Sequence, residues 1–417
     1  MHSEPKRILI VGAGWEQIPI IQAARSDGHY VIALDGNPHA PGFAYASEHH
    51  VVSTRDVQGV LAVAQMAPGV QGISYMITES PLYAIHHATQ ALGLPGPSLK
   101  SVNATVSKTL MREIFSQHGV PNAHYGHATS VEMAAATASK IGFPLVMKPA
   151  DSAGQLGLHF LQNLTEVASA FRDSAAHSPA KEVILEEWLD GPEINGVGIV
   201  LGGKIVALTL SDREKHASEA FGIVQRHSYP TTCSTQTCLA ARQLCERSVE
   251  VLEIQNGIIF PQIIVTPRGP IMAEFGERIP GGIMKELFEY ATGYDLVAIQ
   301  LDIALGLIQP LENYCTKPVF ESVIVKFLNC YPGGPLRAGA IKETHNLEQV
   351  RQMEGILAAD FFVNADKPQE IRPLKRAADR CFFIVAGGKN REQAIERSEF
   401  AAKVIDFTDH EGKSLKS

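Results

Sequence analysis

Val183-Ile-Leu-Glu-Glu-Trp-Leu-Asp-Gly-Pro-Glu193 is an apolar run that ends in two acids, crosses a short hinge with a Gly-Pro turn, and presents one more carboxylate. The composition predicts a β-strand that stops before Gly191-Pro192. A strand running into such a hinge offers a purine two kinds of group. Backbone donors and acceptors come from Glu187 to Leu189, and Glu193 supplies a carboxylate for a ribose diol. The segment is a candidate nucleotide slot, although strands ending in a Gly-Pro turn also occur where the acids are merely solvated.

Its surroundings add charge. Upstream, Phe143-Pro-Leu-Val-Met-Lys148 predicts a strand with an ammonium at its end, followed by the small-residue loop Pro149 to Gly157. Ser152, Gly154 and Gly157 would let backbone N–H groups approach phosphate oxygens closely. The lysine precedes the glycines and no Gly-Lys-Ser/Thr follows, so this is not a Walker A loop. Ser107-Lys108 opens a helix with Leu110, Met111, Ile114 and Phe115 at core-facing spacing, ending at Gly119-Val-Pro121.

Downstream, Ile258 to Val265, the turn Thr266-Pro-Arg-Gly269, and Ile271 to Phe275 predict a hairpin. A turn symmetric about Arg268 sets Gln262 opposite Glu274 on one side of the ladder. Two oxygen-bearing side chains beside a polyphosphate suit magnesium, with manganese as an alternative, and Glu277 is a candidate for further charge. Arg278, at the strand end, is placed to reach a phosphoryl group, and Gly281 and Gly282 offer loop amides to a carboxylate.

At 417 residues the chain exceeds what one hydrophobic core usually serves, so two or three domains are expected. The net charge of -8, with both signs dispersed, gives no electrostatic case for nucleic acid. Six cysteines form no CxxC pair and no zinc spacing, which fits reduced thiols in a cytoplasmic enzyme. No stretch approaches the roughly 20 apolar residues of a membrane span.

The opening Arg7 to Val11, Gly12-Ala-Gly14, a helix over Glu16 to Gly28, and Tyr30 to Asp35 predicts a βαβ unit. The third glycine of a dinucleotide fingerprint is missing, since Gln17 precedes Ile18-Pro19, so a Rossmann-like domain without the dinucleotide is the stronger reading. Glu79, at the end of a further strand from Gly72 to Ile77, is a candidate for a substrate amine, and equally a helix-capping acid. Leu92 to Ser98 reads as a linker. After the hinge, Val197 to Leu201 and Lys204 to Leu210 predict an antiparallel hairpin, and Ser211 to Pro230 a long polar connection. His227 lies in it, more often a structural histidine than one that orients a substrate. The tail from Val319 looks like a small α+β cap.

In this order the pieces resemble the ATP-grasp superfamily of carboxylate–amine ligases. The Trp-Leu-x-Gly-Pro-Glu hinge is similar to that of the D-alanine–D-alanine ligase branch. By that match Glu186, Glu187, Trp188 and Leu189 contact adenine, largely through backbone, Glu193 contacts ribose, and Lys108 and Lys148 hold the phosphates. The family pattern has an acid on the first hairpin strand and Glu-x-Asn-x-Arg on the second. This chain has Gln262 and Glu274-Phe-Gly276-Glu277-Arg278 instead, and the second departure resembles dipeptide-forming L-amino-acid ligases. The resemblance implies a mixed α/β and α+β fold: a Rossmann-like domain over 1–97, an ATP-grasp core with antiparallel sheets over 98–310 including a lid at about 125–193, and a C-terminal α+β part over 311–417. It also implies ATP, magnesium, amino-acid or amine substrates and a homodimer. The expected reaction activates a carboxylate as an acyl phosphate and joins it to an amine, with Lys148 and Arg278 closest to the chemistry. Formate or bicarbonate activation is the enzyme alternative, and a nucleotide-binding regulator without turnover the alternative of another class.

Overall fold

A computed structural model of the protein describes residues 4–66, 68–151, 156–216, 222–362 and 370–417. The first sheet is parallel, in the order Glu48–Val51, Tyr30–Asp35, Arg7–Val11, Gly72–Ser74. Its central strands are apolar throughout because both faces are covered. Ile8 and Ile10 pack toward the helices Ile18–Ser26 and Leu296–Leu305, and Leu9 and Val11 toward Val57–Gln65 and Leu82–Leu92. The helix Leu296–Leu305 comes from the far side of the chain. It packs so tightly that a Cβ at Gly72 would lie 2.7 Å from the carbonyl oxygen of Ala304. Glycine here lets the two parts of the molecule meet.

The expected long first helix starts later than its pattern suggested. Trp15–Gln17 forms a 3₁₀ turn and the α-helix begins at Ile18, with Pro19 in its first turn. Gln17 turns inward and donates to the Met76 carbonyl at 3.2 Å. Its Oε1 lies 2.8 Å from where a Cβ of Gly14 would be, so its amide fills the loop that a dinucleotide pyrophosphate would need. Asp35 accepts from the Ala13 and Asn37 backbone N–H groups, each at 2.8 Å, and holds the loop shut.

A second, antiparallel sheet has the order Tyr125–Ala128, Val183–Glu187, Leu145–Pro149, His159–Leu161. The helices Val131–Ile141 and Val167–Ala176 cover one of its faces through Ala134, Ala138, Val167 and Phe171. Its other face looks toward a third sheet of eight strands, ordered Gly269–Glu277, Gly257–Thr266, Glu193–Leu201, Lys204–Lys215, Val224–Tyr229, Ser322–Leu328, Phe382–Gly388, Ile356–Phe361. All its pairings are antiparallel. Strands of the tail therefore continue the same sheet as the hairpin.

The polar connection expected from Ser211 to Pro230 is largely sheet. The strand after the hinge hairpin runs on to Lys215, and Val224–Tyr229 pairs with it and with Ser322–Leu328. Its polar residues are strand residues whose charges meet across the ladder: Arg226 Nη2 donates to Glu214 Oε2 at 2.6 Å, and Ser228 Oγ donates to Glu214 Oε1 at 3.1 Å. The helix Thr235–Val251, capped by Ser234, covers the hairpin with Ala241, Leu244, Cys245 and Val249. Arg242, Glu246, Arg247 and Glu250 on its outer face dilute the periodic signal.

Gly191 joins the second and third sheets at the hinge. Its φ is +147°, and a Cβ there would lie 2.0 Å from the Val265 carbonyl oxygen. Val265 N–H in turn donates to the Pro192 carbonyl at 2.9 Å. Gly191→Ala should therefore cost on the order of 2 kcal/mol and lower the urea midpoint. A midpoint equal to the parent's would show that the hinge does not require glycine.

Candidate active site

The hinge, the strand Leu145–Pro149 and the hairpin face one another across a cavity of about 380 Å³, lined among others by Lys108, Lys148, Glu186 to Leu189, Glu193, Gln262, Glu274 and Arg278. That volume is in the range of small-molecule sites. Gln262 pairs with Glu274 as expected, and Gln262 Nε2 donates to Glu274 Oε2 at 3.2 Å, but the turn is not symmetric about Arg268: it closes on the pair Thr266 and Gly269, a register that by itself would set Gln262 opposite Ala273. The register then slips by one residue at Ala273, a bulge that sends Met272 and Phe275 into the core while Glu274 and Arg278 line the cavity.

Glu277 does not join them. Alternation along the strand turns it to the opposite face, where it is buried and accepts a hydrogen bond from Ser101 Oγ. Burial pushes its carboxyl up to about 7, against the smaller effect of Ser101. It is not a metal ligand, and the metal candidates reduce to Gln262 and Glu274. No three His, Cys, Asp or Glu side chains converge among the described residues. The remaining pair still suits magnesium, which accepts one or two protein oxygens and takes the rest from phosphate and water. Oε1 of Gln262 accepts no hydrogen bond among the described residues and is available to it.

Cations approach from three directions. Lys108 heads the helix Lys108–Gln117, capped by Ser107, and its backbone N–H donates to the Ala150 carbonyl at 2.9 Å. Its ammonium lies 3.9 Å from Glu274. Lys148 Nζ donates to Glu186 Oε2 at 2.8 Å, and Glu186 Oε1 accepts from Arg112 Nε at 2.9 Å. Arg112 is fully buried, and its other nitrogens donate to the carbonyls of Met272 and Ala273 at 2.9 and 2.6 Å. Burial alone would raise the Glu186 carboxyl, but Arg112 and Lys148 hold it down to about 2. Burial pulls the Lys148 ammonium down, and Glu186 opposes that.

The third direction was missed by sequence reading. Arg213 and Lys215 project into the cavity from the strand Lys204–Lys215. Arg213 pairs with Glu193 Oε1, and Lys215 Nζ lies 2.5 Å from Glu193 Oε2. Burial opposes the charge on Glu193, and the two cations outweigh it, leaving the carboxyl below its ordinary range. Their period-two spacing was the available signal, hidden because the stretch looked like a loop.

The opposite end of the cavity is less polar. Leu189, Ile264, Val146 and Leu158 line it together with Trp188, whose ring meets Phe160 edge-on at 4.8 Å. The Glu187 carboxylate is pinned by Arg268 at 2.6 Å and by the His124 N–H at 2.9 Å, and the N–H groups of Glu187 and Trp188 donate to the carbonyls of His124 and Pro144 at 2.9 and 3.1 Å. At the cationic end Arg278 Nε donates to Glu79, and its guanidinium lies 5.6 Å from the Phe260 ring centre. A Cβ at Gly276 would stand 3.2 Å from Glu79 Oε1. Glycine in place of the family asparagine thus leaves room for this carboxylate.

The other candidates divide. Gly281 abuts Glu16 and Gly282 abuts Arg380, at 2.9 and 3.2 Å from their would-be Cβ atoms, behind the Arg278 end. His227 is buried at 3% exposure and does not line the cavity. It meets Phe327 edge-on at 6.4 Å, burial keeps it well below its ordinary pKa, and it is a structural residue. Gly157 has φ +66°, and its carbonyl accepts from Ser174 Oγ at 2.6 Å, anchoring the loop end to a helix. Ser152 and Gly154 lie outside the described residues.

The depressed Glu186 carboxyl contributes stability that is present above the ordinary value of 4.5 and is lost as pH falls toward 2. Glu186→Gln should unfold at lower denaturant at neutral pH, because Arg112 and Lys148 lose their partner. It should also show a flatter loss of stability between those two pH values. An acid limb as steep as the parent's would assign that titration to another group.

The model of the phosphoribosylglycinamide synthetase ATP-grasp (A) domain matches residues 106–280, and that of the L-amino acid ligase C-terminal domain 2 matches residues 335–409. The formate-dependent phosphoribosylglycinamide formyltransferase of a Synechocystis strain is 31% identical over 285 residues, which cover 66% of this chain and 70% of that protein. The phosphoribosylamine–glycine ligase of Vibrio cholerae is 27% identical over 229 residues, 51% of each chain. The chain spans between 40% and 63% of the length of six curated relatives. The crystal structure of L-amino acid ligase from Bacillus licheniformis shares the fold with a TM-score of 0.78 over 98% of this chain and all of that one, at 18% identity. No helix among the described residues is long and apolar enough to cross a membrane. The hinge, the converging cations and these matches agree: the chain belongs to the ATP-grasp family of ligases.

Proposed function

We propose that this protein is an ATP-dependent carboxylate–amine ligase that activates the carboxylate of an amino acid and joins it to an amine, a second amino acid. The observation that carries the reading is the convergence of Lys108, Lys148, Arg213, Lys215 and Arg278 on one cavity that also holds the Gln262–Glu274 pair and the hinge. Five cations and two oxygen donors match a triphosphate with magnesium, which would be held by Glu274 and Gln262 and would neutralise phosphate charge. The apolar end beside Trp188 and Leu189 suits adenine, with hinge backbone groups reading its edge.

A carboxylate is a poor acyl donor because amine attack would expel oxide. Transfer of the terminal phosphoryl group to it, with release of ADP, replaces that leaving group by phosphate. Such a transfer depends on alignment and charge neutralisation, which the lysines and Arg278 supply. The amine then attacks the acyl carbon, Arg278 faces the developing oxyanion, and phosphate departs. Glu193 fixes Arg213 and Lys215 and keeps lone pairs for a ribose hydroxyl.

The identity to the formyltransferase favours a second reading, activation of formate. Supplying each acid in turn with ATP and weighing the product separates the two. Lys148→Ala should lower ATP turnover by about 100-fold or more, and near-parental turnover would remove Lys148 from the mechanism. Glu274→Gln should raise the magnesium concentration needed for half-maximal rate without unfolding the protein. An unchanged magnesium titration would place the metal elsewhere. Hydroxylamine should trap the activated acid as a hydroxamate, and its repeated absence with active enzyme would rule out an acyl phosphate.

A further inference from the structure

Glu277, which strand alternation turns away from Glu274 and Arg278, lines a separate cavity of about 390 Å³ that shares no lining residue with the first. Besides the strand, three segments wall it: the linker Pro95 to Ser98, the turn Glu253 to Gly257, and the helix Leu296–Leu305. Linker and turn are tied together. Ser98 Oγ donates to the Leu252 carbonyl at 2.8 Å, and Lys100 pairs with Glu253 at 3.2 Å. The turn is also held from the hinge hairpin, where the N–H groups of Gly202 and Gly203 donate to Asn256 Oδ1 and the Gln255 carbonyl at 3.0 and 2.8 Å.

Two buried side chains bring unused polar atoms to this space. Glu277 is 4% exposed, and its Oε2 accepts from Ser101 Oγ. Its Oε1 accepts nothing among the described residues, and it lies 3.0 Å from where a Cβ of Gly257 would stand on the cavity wall. Gln300 is 6% exposed, and its side-chain amide makes no hydrogen bond among the described residues. The Tyr75 hydroxyl is already committed to the Glu277 carbonyl, at 2.6 Å.

No lysine, arginine or histidine is among the residues that line the cavity. The carboxyl therefore has no countercharge, and burial pushes it up to about 7 against the smaller effect of Ser101. Burying a charge alone is costly, and a cation brought beside it offsets that cost. Ile73, Leu94, Ile254 and Ile303 surround the two polar groups. Such walls suit alkyl carbon better than a magnesium ion, which gives up its water reluctantly. An ammonium group has three donors for the carboxylate and amide oxygens.

We propose that this cavity binds an organic monoammonium ion, a protonated primary alkylamine, with its nitrogen on the oxygens of Glu277 and Gln300 and its chain against Ile254 and Ile303. An amine held there is on the far side of the strand from the phosphoryl-transfer site and is a bound ligand, not a reactant. The inference stands whether or not the chain is a ligase.

Calorimetry on the full chain with n-butylammonium chloride tests it, against 1-butanol as an uncharged molecule of equal size. Butylammonium should occupy one site per chain and bind about 10-fold or more tightly than 1-butanol, the difference that a charge-assisted hydrogen bond gives over a neutral one. Glu277→Gln keeps the shape, removes the charge and should abolish that preference. Gln300→Leu serves if the first variant fails to fold, and should weaken butylammonium about 3-fold or more. Adenylyl-imidodiphosphate with magnesium should leave the butylammonium affinity unchanged, which separates this site from the carboxylates of the first cavity. Equal binding of 1-butanol, parental affinity in whichever variant folds, or displacement of butylammonium by the nucleotide analogue overturns the proposal.

Discussion

A chain of three charges, Arg112 to Glu186 to Lys148, the first two of them buried, joins the parts that make the cavity. Arg112 belongs to the helix Lys108–Gln117, Glu186 to the strand that becomes the hinge, and Lys148 to the strand before the glycine loop. Arg112 also donates to the carbonyls of Met272 and Ala273, so the same guanidinium ties the small sheet to the hairpin that carries Glu274. Removing one member of such a group leaves an uncompensated buried charge, typically worth about 3–5 kcal/mol. The arrangement positions as much as it stabilises, because the Lys148 ammonium is held at the cavity wall by a partner that is itself immobile.

The bulge at Ala273 is the second constraint. Two carbonyls in succession, from Met272 and Ala273, can meet one guanidinium because the ladder slips there. The same slip lets the strand bury Met272 and Phe275 while Glu274, Gly276 and Arg278 share the cavity side. Gly276 then makes room for Glu79, which follows the last strand of the parallel sheet and holds Arg278. Catalytic geometry thus depends on contact between segments about two hundred residues apart, and on the close packing at Gly72 that brings the parallel sheet up to the helix Leu296–Leu305.

Much of the site was legible because its signals are local. The apolar run ending at Lys148, the capped helix start at Lys108 and the Trp-Leu-Asp-Gly-Pro-Glu hinge are contiguous patterns. Gln262 and Glu274 were paired from a turn centred on Arg268, yet the turn closes on Thr266 and Gly269, and it is the bulge at Ala273 that brings the two together. Glu277 was misassigned by proximity in sequence, although strand alternation alone turns it from Glu274. Arg213 and Lys215 were passed over because polar strands between charged neighbours look like loops. His227 drew notice as a histidine near a lid, whereas its strand has neighbours on both sides and buries it.

From its order of residues alone the chain determined the hinge, the hairpin, the parallel opening sheet and the family they resemble, since each follows from short-range periodicity and turn chemistry. Only the tertiary structure decided that Arg112 is buried, that Glu193 gathers two cations, that a bulge at Ala273 sets Glu274 opposite Gln262, and that the tail's strands extend the hairpin's sheet. Those facts depend on which distant surfaces meet. A charged side chain carries the same local signal whether it ends in water or between two packed sheets, and desolvation is settled only by the groups brought against it.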